Sequence, residues 1–159
     1  MALIIRPRIE SDIDALVTVL AESHRSDSYP VMAEHVSGAW LTEKGDPAWV
    51  AELDGVVVGH AAVAGKPAGS LELTRLVVSS SARGAGVATC LLDVVEQHAE
   101  AVGSPLFLDV LEYNSNAMRL YERRGWHPTF SERVDWFGAD GPQPLMHRYV
   151  KQPDKAQSM

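Results

Sequence analysis

Between residues 71 and 110 the chain reads as a strand, a glycine turn, an amphipathic helix and a second strand, and this order limits the possible folds more than any other feature. Leu71-Glu72-Leu73-Thr74-Arg75-Leu76-Val77-Val78 is the first strand and Ser79-Ser80-Ser81-Ala82 the turn out of it. Arg83-Gly84-Ala85-Gly86-Val87-Ala88 then opens the helix. Along it Val87, Cys90, Leu91, Val94, Val95, His98 and Val102 share one face, while Thr89, Asp93, Glu96, Gln97 and Glu100 occupy the other. Gly103 and Pro105 end it, and Leu106 to Val110 follows as a short buried strand parallel to the first. A helix start leaves backbone N–H groups unpaired, glycines let an anion come close to them, and Arg83 adds a charge suited to phosphate oxygens. The junction is therefore a candidate phosphate cradle.

The surrounding chain supplies antiparallel partners. Residues 3–6 read as a strand, followed by a helix that Ser11 or Asp12 caps, with Ile13, Leu16, Val17 and Leu20 on one face. Tyr29-Pro30 breaks that helix, and a second is expected around Val31 to Leu41. Ala48 to Leu53, Asp54-Gly55 and Val56 to Val63 form a hairpin with a two-residue turn, and Gly65 to Gly69 is a loop. Asn116 to Arg124 is a helix ended by Gly125, and residues 126–150 hold two more strands around Gly138 to Pro142. The expectation is an α/β fold in one domain, residues 1–151, built on a single mixed, mostly antiparallel sheet; residues 152–159 are a disordered tail.

Composition excludes several classes. The formal charge of −7 lacks the basic footprint of a nucleic-acid binder and is an easier match for a cationic partner. The one cysteine, Cys90, falls on the apolar helix face as a core residue and rules out an internal disulfide framework. Ala2-Leu3-Ile4-Ile5 stops at Arg6-Pro7, short of a signal-peptide core, and no later run is long enough for a membrane span, so a cytoplasmic protein is expected. The six histidines show no ligand spacing, and no metal is expected.

The spacing alone leaves the cradle's ligand open. A glycine turn that binds nothing is one reading. A dinucleotide site is another, and Asp109 would supply its acidic residue, but Thr89 stands where a third glycine is wanted and the chain after Asp109 is too short for a doubly wound sheet. Gly65-Lys66 is followed by proline and has no earlier glycine at the spacing of a Walker loop.

The residues downstream carry more information. Glu72 to Val78, Arg83-x-x-Gly86-x-Ala88, and Asn114-x-x-Ala117-Met118-Arg119-Leu120-Tyr121-Glu122-Arg123-Arg124-Gly125-Trp126 together resemble the GNAT acyltransferase superfamily over nearly the whole chain. The departures are Ala88 for the commoner Gly, Ser80 for a frequent proline, and Trp126 for Phe. The resemblance implies two central parallel strands, 71–78 and 105–110, that splay apart to admit acetyl-coenzyme A. It places the pyrophosphate on the backbone of Arg83, Gly84, Ala85, Gly86, Val87 and Ala88, and the pantetheine arm along Leu76, Val77 and Val78. The N–H near Val78 would stabilise the oxyanion of direct acyl transfer to a primary amine of a small molecule or peptide.

By the same resemblance Glu72 is the candidate base, Tyr121 protonates the leaving thiolate, and Asn114 holds the pantetheine arm or a water; His60, on the neighbouring predicted strand, is a second candidate base, with a structural role as its alternative. An alternative for Tyr121 is core packing, and for Asn114 a helix cap. Tyr29, Trp40, Trp136 and Phe137 are candidates for lining the acceptor site, and Tyr113 is as readily a core residue as anything else. A homodimer is compatible with the sequence. An acyl-coenzyme A sensor without turnover is the competing class, and Glu72, Asn114 and Tyr121 together favour the enzyme.

Overall fold

Alternating apolar residues on both sides of Asp54-Gly55 make the hairpin, and the left-handed turn is taken by Asp54 at φ 52° and Gly55 at φ 84°. In the computed structural model, which describes residues 2–27, 29–30, 32–43, 47–66, 69–137 and 140–154, this hairpin is β2 (Ala48–Leu53) and β3 (Val56–Gly65). The other strands are β1 (Leu3–Pro7), β4 (Leu71–Val78), β5 (Leu106–Leu111), β6 (His127–Arg133) and β7 (Leu145–Lys151). The helices are α1 (Ile13–Asp27), α2 (Gly38–Thr42), α3 (Val87–Val102) and α4 (Ser115–Arg123). The strands form one mixed sheet of seven in the order β1-β2-β3-β4-β5-β7-β6. The chain divides into two compact units, Met1–Ala64 with Leu73–His98, and Gly65–Glu72 with Ala99–Met159.

In the first unit β1 lies antiparallel to β2 and β2 antiparallel to β3, with a bulge between Ala51 and Glu52. Leu16, Val19 and Leu20 of α1, Leu41 of α2, Val50 and Val77 form a buried cluster against which Ile13, Tyr29, Val36, Trp40 and Val57 pack. Leu16, Val19 and Leu20 are buried while Val17 is half-buried, and a short 3-10 turn over Glu10–Asp12, of which Asp12 is the last residue, precedes α1. Asp12 accordingly does not cap α1. Its carboxylate accepts the Ile9 N–H at 2.7 Å and pairs in bidentate fashion with Arg6 at 2.8 and 2.9 Å. The expected helix over 31–41 is reduced to a 3-10 turn at Ala33–His35 and the five-residue α2, whose Ser37 side chain accepts from the Trp40 N–H. Gly59 on β3 lets α3 come close, since a Cβ there would sit 3.0 Å from Val87 Cγ1 and 3.2 Å from Leu91 Cδ1.

In the second unit the start of β4 runs parallel to β5 through Leu71↔Leu106 and Glu72↔Phe107. β5 is antiparallel to β7, and β7 to β6. Tyr121 of α4, Trp126 and Tyr149 of β7 are buried together, with ring centroids 5.7 Å (Tyr121–Trp126) and 6.3 Å (Tyr121–Tyr149) apart. The Tyr149 hydroxyl donates to Glu122 at 2.6 Å, and burial together with that bond pushes its pKa up to about 12. Cys90, expected in the core, is only half-buried because the α3 core stripe runs through Val87, Leu91, Leu92 and Val95, and Tyr113, which the sequence leaves unassigned, is 63% exposed. The predicted turn at 138–142 falls partly, and the tail beyond Asp154 wholly, outside the described residues.

Candidate active site

The glycine loop keeps the geometry its sequence implies. Gly84 and Gly86 adopt φ 82° and 78°, a left-handed backbone open to glycine and strained for other residues. A Cβ at either would meet nothing within 4 Å, so the space in front of the loop is open. The helical ladder of α3 begins where Cys90 N–H donates to Gly86 O at 3.0 Å, and upstream the Arg83 and Ala85 amides donate to Ser80 O at 3.4 Å and Ala82 O at 3.2 Å; a helix start directs its first-turn amides, here from Val87 on, out of its own ladder. No acidic residue stands in the first turn of α3 to compete for them. Arg83, at the mouth, is exposed. The entry to the loop is anchored by Ser79, whose hydroxyl donates to Glu22 at 3.1 Å and lies 2.9 Å from the Ser81 hydroxyl.

Upstream, Val77 is buried while Leu76 and Val78 are half-buried. Arg75 interrupts the strand with φ 56°, a left-handed conformation that costs an arginine about 1–2 kcal/mol. Its contacts hold it there. Nε donates to Trp40 O at 3.1 Å, the guanidinium stacks 3.8 Å from the Trp40 ring centroid, and a terminal nitrogen lies 3.4 Å from Glu43. Nothing in the residue pattern of 71–78 marks this kink.

The second candidate base, His60, is closed off from solvent. The ring is fully buried, with Nε2 2.9 Å from Arg8 and Nδ1 2.8 Å from the Arg75 carbonyl. Burial, more than the neighbouring charges, pushes its pKa down to about 4.

In the second unit Glu72 is largely buried and its carboxylate pairs with Lys66 at 3.1 Å. Lys66 was invisible as a site residue because a loop brings it to Glu72. Asp109, the residue that a dinucleotide site would claim, is engaged in a bidentate pair with Arg148 at 2.8 and 2.9 Å. That guanidinium lies over Phe107 at 4.2 Å and Phe130 at 4.9 Å, and Asp109 holds its pKa above the ordinary arginine value. Asn114 occupies the N-cap of α4 without a side-chain capping bond, so the capping alternative does not account for its amide. Tyr121 is 7% exposed. Of the aromatic residues expected at the acceptor site, Tyr29 and Trp40 meet edge to face at 6.1 Å in the first unit, and His35 stacks on Trp40 at 5.0 Å. Trp136 and Phe137 are 47% and 42% exposed in the second. Among the described residues no cluster of His, Cys, Asp or Glu has the arrangement of a metal site, and no helix is long and apolar enough to cross a membrane.

A mixed seven-stranded sheet flanked by helices, carrying a glycine cradle at the β4–α3 junction, defines an acyltransferase type of fold, and comparison with known proteins identifies it. Residues 13–126 match the Acetyltransferase (GNAT) family. The chain belongs to that family and is an acetyltransferase. It is 34% identical over 137 residues to a protein of Azospirillum brasilense named IAA acetyltransferase, covering 83% of this chain and 86% of that one. Its fold is similar to that of the Escherichia coli ribosomal-protein-S18-alanine N-acetyltransferase, with TM-score 0.78 and 15% identity over 95% of this chain and 94% of that one. It is also similar to a Salmonella typhimurium protein described as an acetyltransferase and determined with its cofactor acetyl-CoA, with TM-score 0.76 and 19% identity over 98% and 96% of the two chains.

Proposed function

We propose that this enzyme transfers the acetyl group of acetyl-coenzyme A to a primary amine of a small molecule or peptide by direct attack, in the cytoplasm. The observation that carries the coenzyme assignment is the pair of left-handed glycines, Gly84 and Gly86, facing open space at the start of an α3 first turn that contains no acid. Amides there suit a pyrophosphate, and a side chain at either glycine would stand between donors and anion. The residues thus fit the coenzyme, which supplies the activated thioester when bound.

Each residue then has a role in terms of its own chemistry. Arg83 to Ala88 bind phosphate, with Arg83 also contributing charge. The backbone of Leu76, Val77 and Val78 pairs with the pantetheine arm, and the Val78 N–H donates to the thioester carbonyl as negative charge develops on its oxygen. Glu72 accepts the proton of an amine whose reference pKa of about 10.4 keeps it mostly ammonium at neutral pH. Lys66 pairs with the same carboxylate at 3.1 Å and fixes its position. As the N–C bond forms and the C–S bond breaks, Tyr121 gives its proton to the thiolate, and the second proton shed by the attacking nitrogen restores the Tyr121 hydroxyl through solvent. Asn114, whose side chain is not used as a cap, orients the arm or a water.

The test is release of free thiol from acetyl-coenzyme A across polyamines, amino acids, aminoglycosides and peptides, with IAA included because the Azospirillum relative carries that name. Acceptor-dependent release with an amine is expected. Coenzyme binding with no release for any amine refutes the amine acceptor.

A further inference from the structure

We propose that His60 is a positioning residue for acyl transfer: its Nδ1–H holds the Arg75 carbonyl at the left-handed kink of β4 and so sets the direction of the Leu76 to Val78 amides. This inference rests on the acetyl-transfer reading of that strand.

The direction of the bond follows from the chemistry of the neighbours. Arginine carries five donors and no acceptor, so the 2.9 Å contact between Arg8 and His60 Nε2 requires Nε2 to be the acceptor. A neutral imidazole with an accepting Nε2 carries its proton on Nδ1, and that N–H faces the Arg75 carbonyl at 2.8 Å. The ring stays neutral because it is fully buried between two arginines. Arg8 thus selects the tautomer that Arg75 needs.

The consequence falls on the strand beyond the kink. Arg75 at φ 56° leaves the regular strand conformation, and its carbonyl is the point at which the kink is tied to the neighbouring strand. His60 donates to that carbonyl from β3, and four residues further on the Ser79 N–H donates to Val58 O, also on β3, at 2.7 Å. Leu76, Val77 and Val78 are therefore bracketed by two ties to the same strand. Loss of the first tie removes a buried hydrogen bond at the kink and lets the kink relax, which redirects the amide proposed to meet the thioester oxygen.

Asparagine and glutamine separate the two nitrogens of His60. The Asn amide NH2 reaches the place of Nδ1 and can still donate to Arg75 O, whereas the Gln amide reaches the place of Nε2 and meets Arg8. For His60→Gln, kcat is expected to fall about tenfold, on the scale of one buried hydrogen bond lost, and by a larger factor than the acetyl-coenzyme A Kd rises, because the phosphate cradle is untouched while the strand that pairs with the pantetheine arm shifts. His60→Asn is expected to recover at least about a third of wild-type kcat, because it replaces the same donor. Long-range 1H–15N spectra of the wild-type imidazole should show the Nδ1-protonated tautomer, a readout that needs neither variant to fold. Equal kcat losses in the two variants, an unchanged kcat in His60→Gln, or an Nε2-protonated ring would overturn the proposal. If the wild type releases no thiol with any amine, the acetyl-transfer reading fails instead, and the spectrum still reports separately on the bond to Arg75.

Discussion

The glycine loop allows a perturbation with an internal control. Gly86 at φ 78° and Gly55 at φ 84° have almost the same backbone, and a Cβ at either meets nothing within 4 Å. Gly86→Ala and Gly55→Ala should therefore carry the same left-handed penalty, about 1–2 kcal/mol, with no packing difference. For a chain of this size that corresponds to a fall in Tm of about 2–8 °C in both variants. They should part company on ligand. The methyl group at 86 enters the space assigned to the pyrophosphate and displaces it from charge-assisted amide bonds worth about 1.5–3 kcal/mol, so the acetyl-coenzyme A Kd should rise about tenfold or more. The methyl at 55 lies in the β2–β3 turn and should leave Kd unchanged. Calorimetric titration of both proteins, with thermal melts alongside, gives the two numbers. Equal Kd values in the two variants would refute the phosphate-cradle assignment, and unequal Tm losses would refute the equivalence of their backbone costs.

Two further predictions concern the proton donor and the Arg6 cluster. Tyr121→Phe should lower kcat about tenfold or more while changing the acetyl-coenzyme A Kd less than about twofold, since it removes a proton and no phosphate contact; a wild-type kcat in steady-state assays returns Tyr121 to aromatic packing with Trp126 and Tyr149. Asp12→Asn should cost about 2 kcal/mol at pH 7 in denaturant melts, less than the ~3–5 kcal/mol of a fully buried pair, because Arg6 is 28% exposed and retains Glu52. Arg6, by hydrogen bond and charge, holds the Asp12 pKa below its ordinary value. The stabilisation is therefore complete above the unfolded-state value near about 3.9 and is lost as pH falls through the lower folded value. The stability gap between wild type and Asp12→Asn should close only in that acid range, and a gap that closes by pH 6 contradicts this origin.

What the sequence determined by itself is local. Alternation, helical periodicity and the glycines at 55, 84, 86 and 103 mark the hairpin, the strand–helix–strand crossover and the cradle, because each depends on residues a few positions apart. The 114–126 segment likewise places Asn114 and Tyr121 at the start and in the last turns of α4.

The tertiary structure decided what depends on distant neighbours. Arg75 is left-handed because Trp40, thirty-five residues away, and His60, fifteen away, hold its two ends. His60 is enclosed through the same contacts, since Arg8 and Arg75 occupy both ring nitrogens. Glu72 keeps its candidacy beside Lys66, and Asp109 loses the ribose-binding alternative to Arg148. Residue type and period say that these side chains can ionise or hydrogen-bond. Only long-range packing says with what, because a charged group's behaviour is set by the few ångströms around it rather than by its place in the chain.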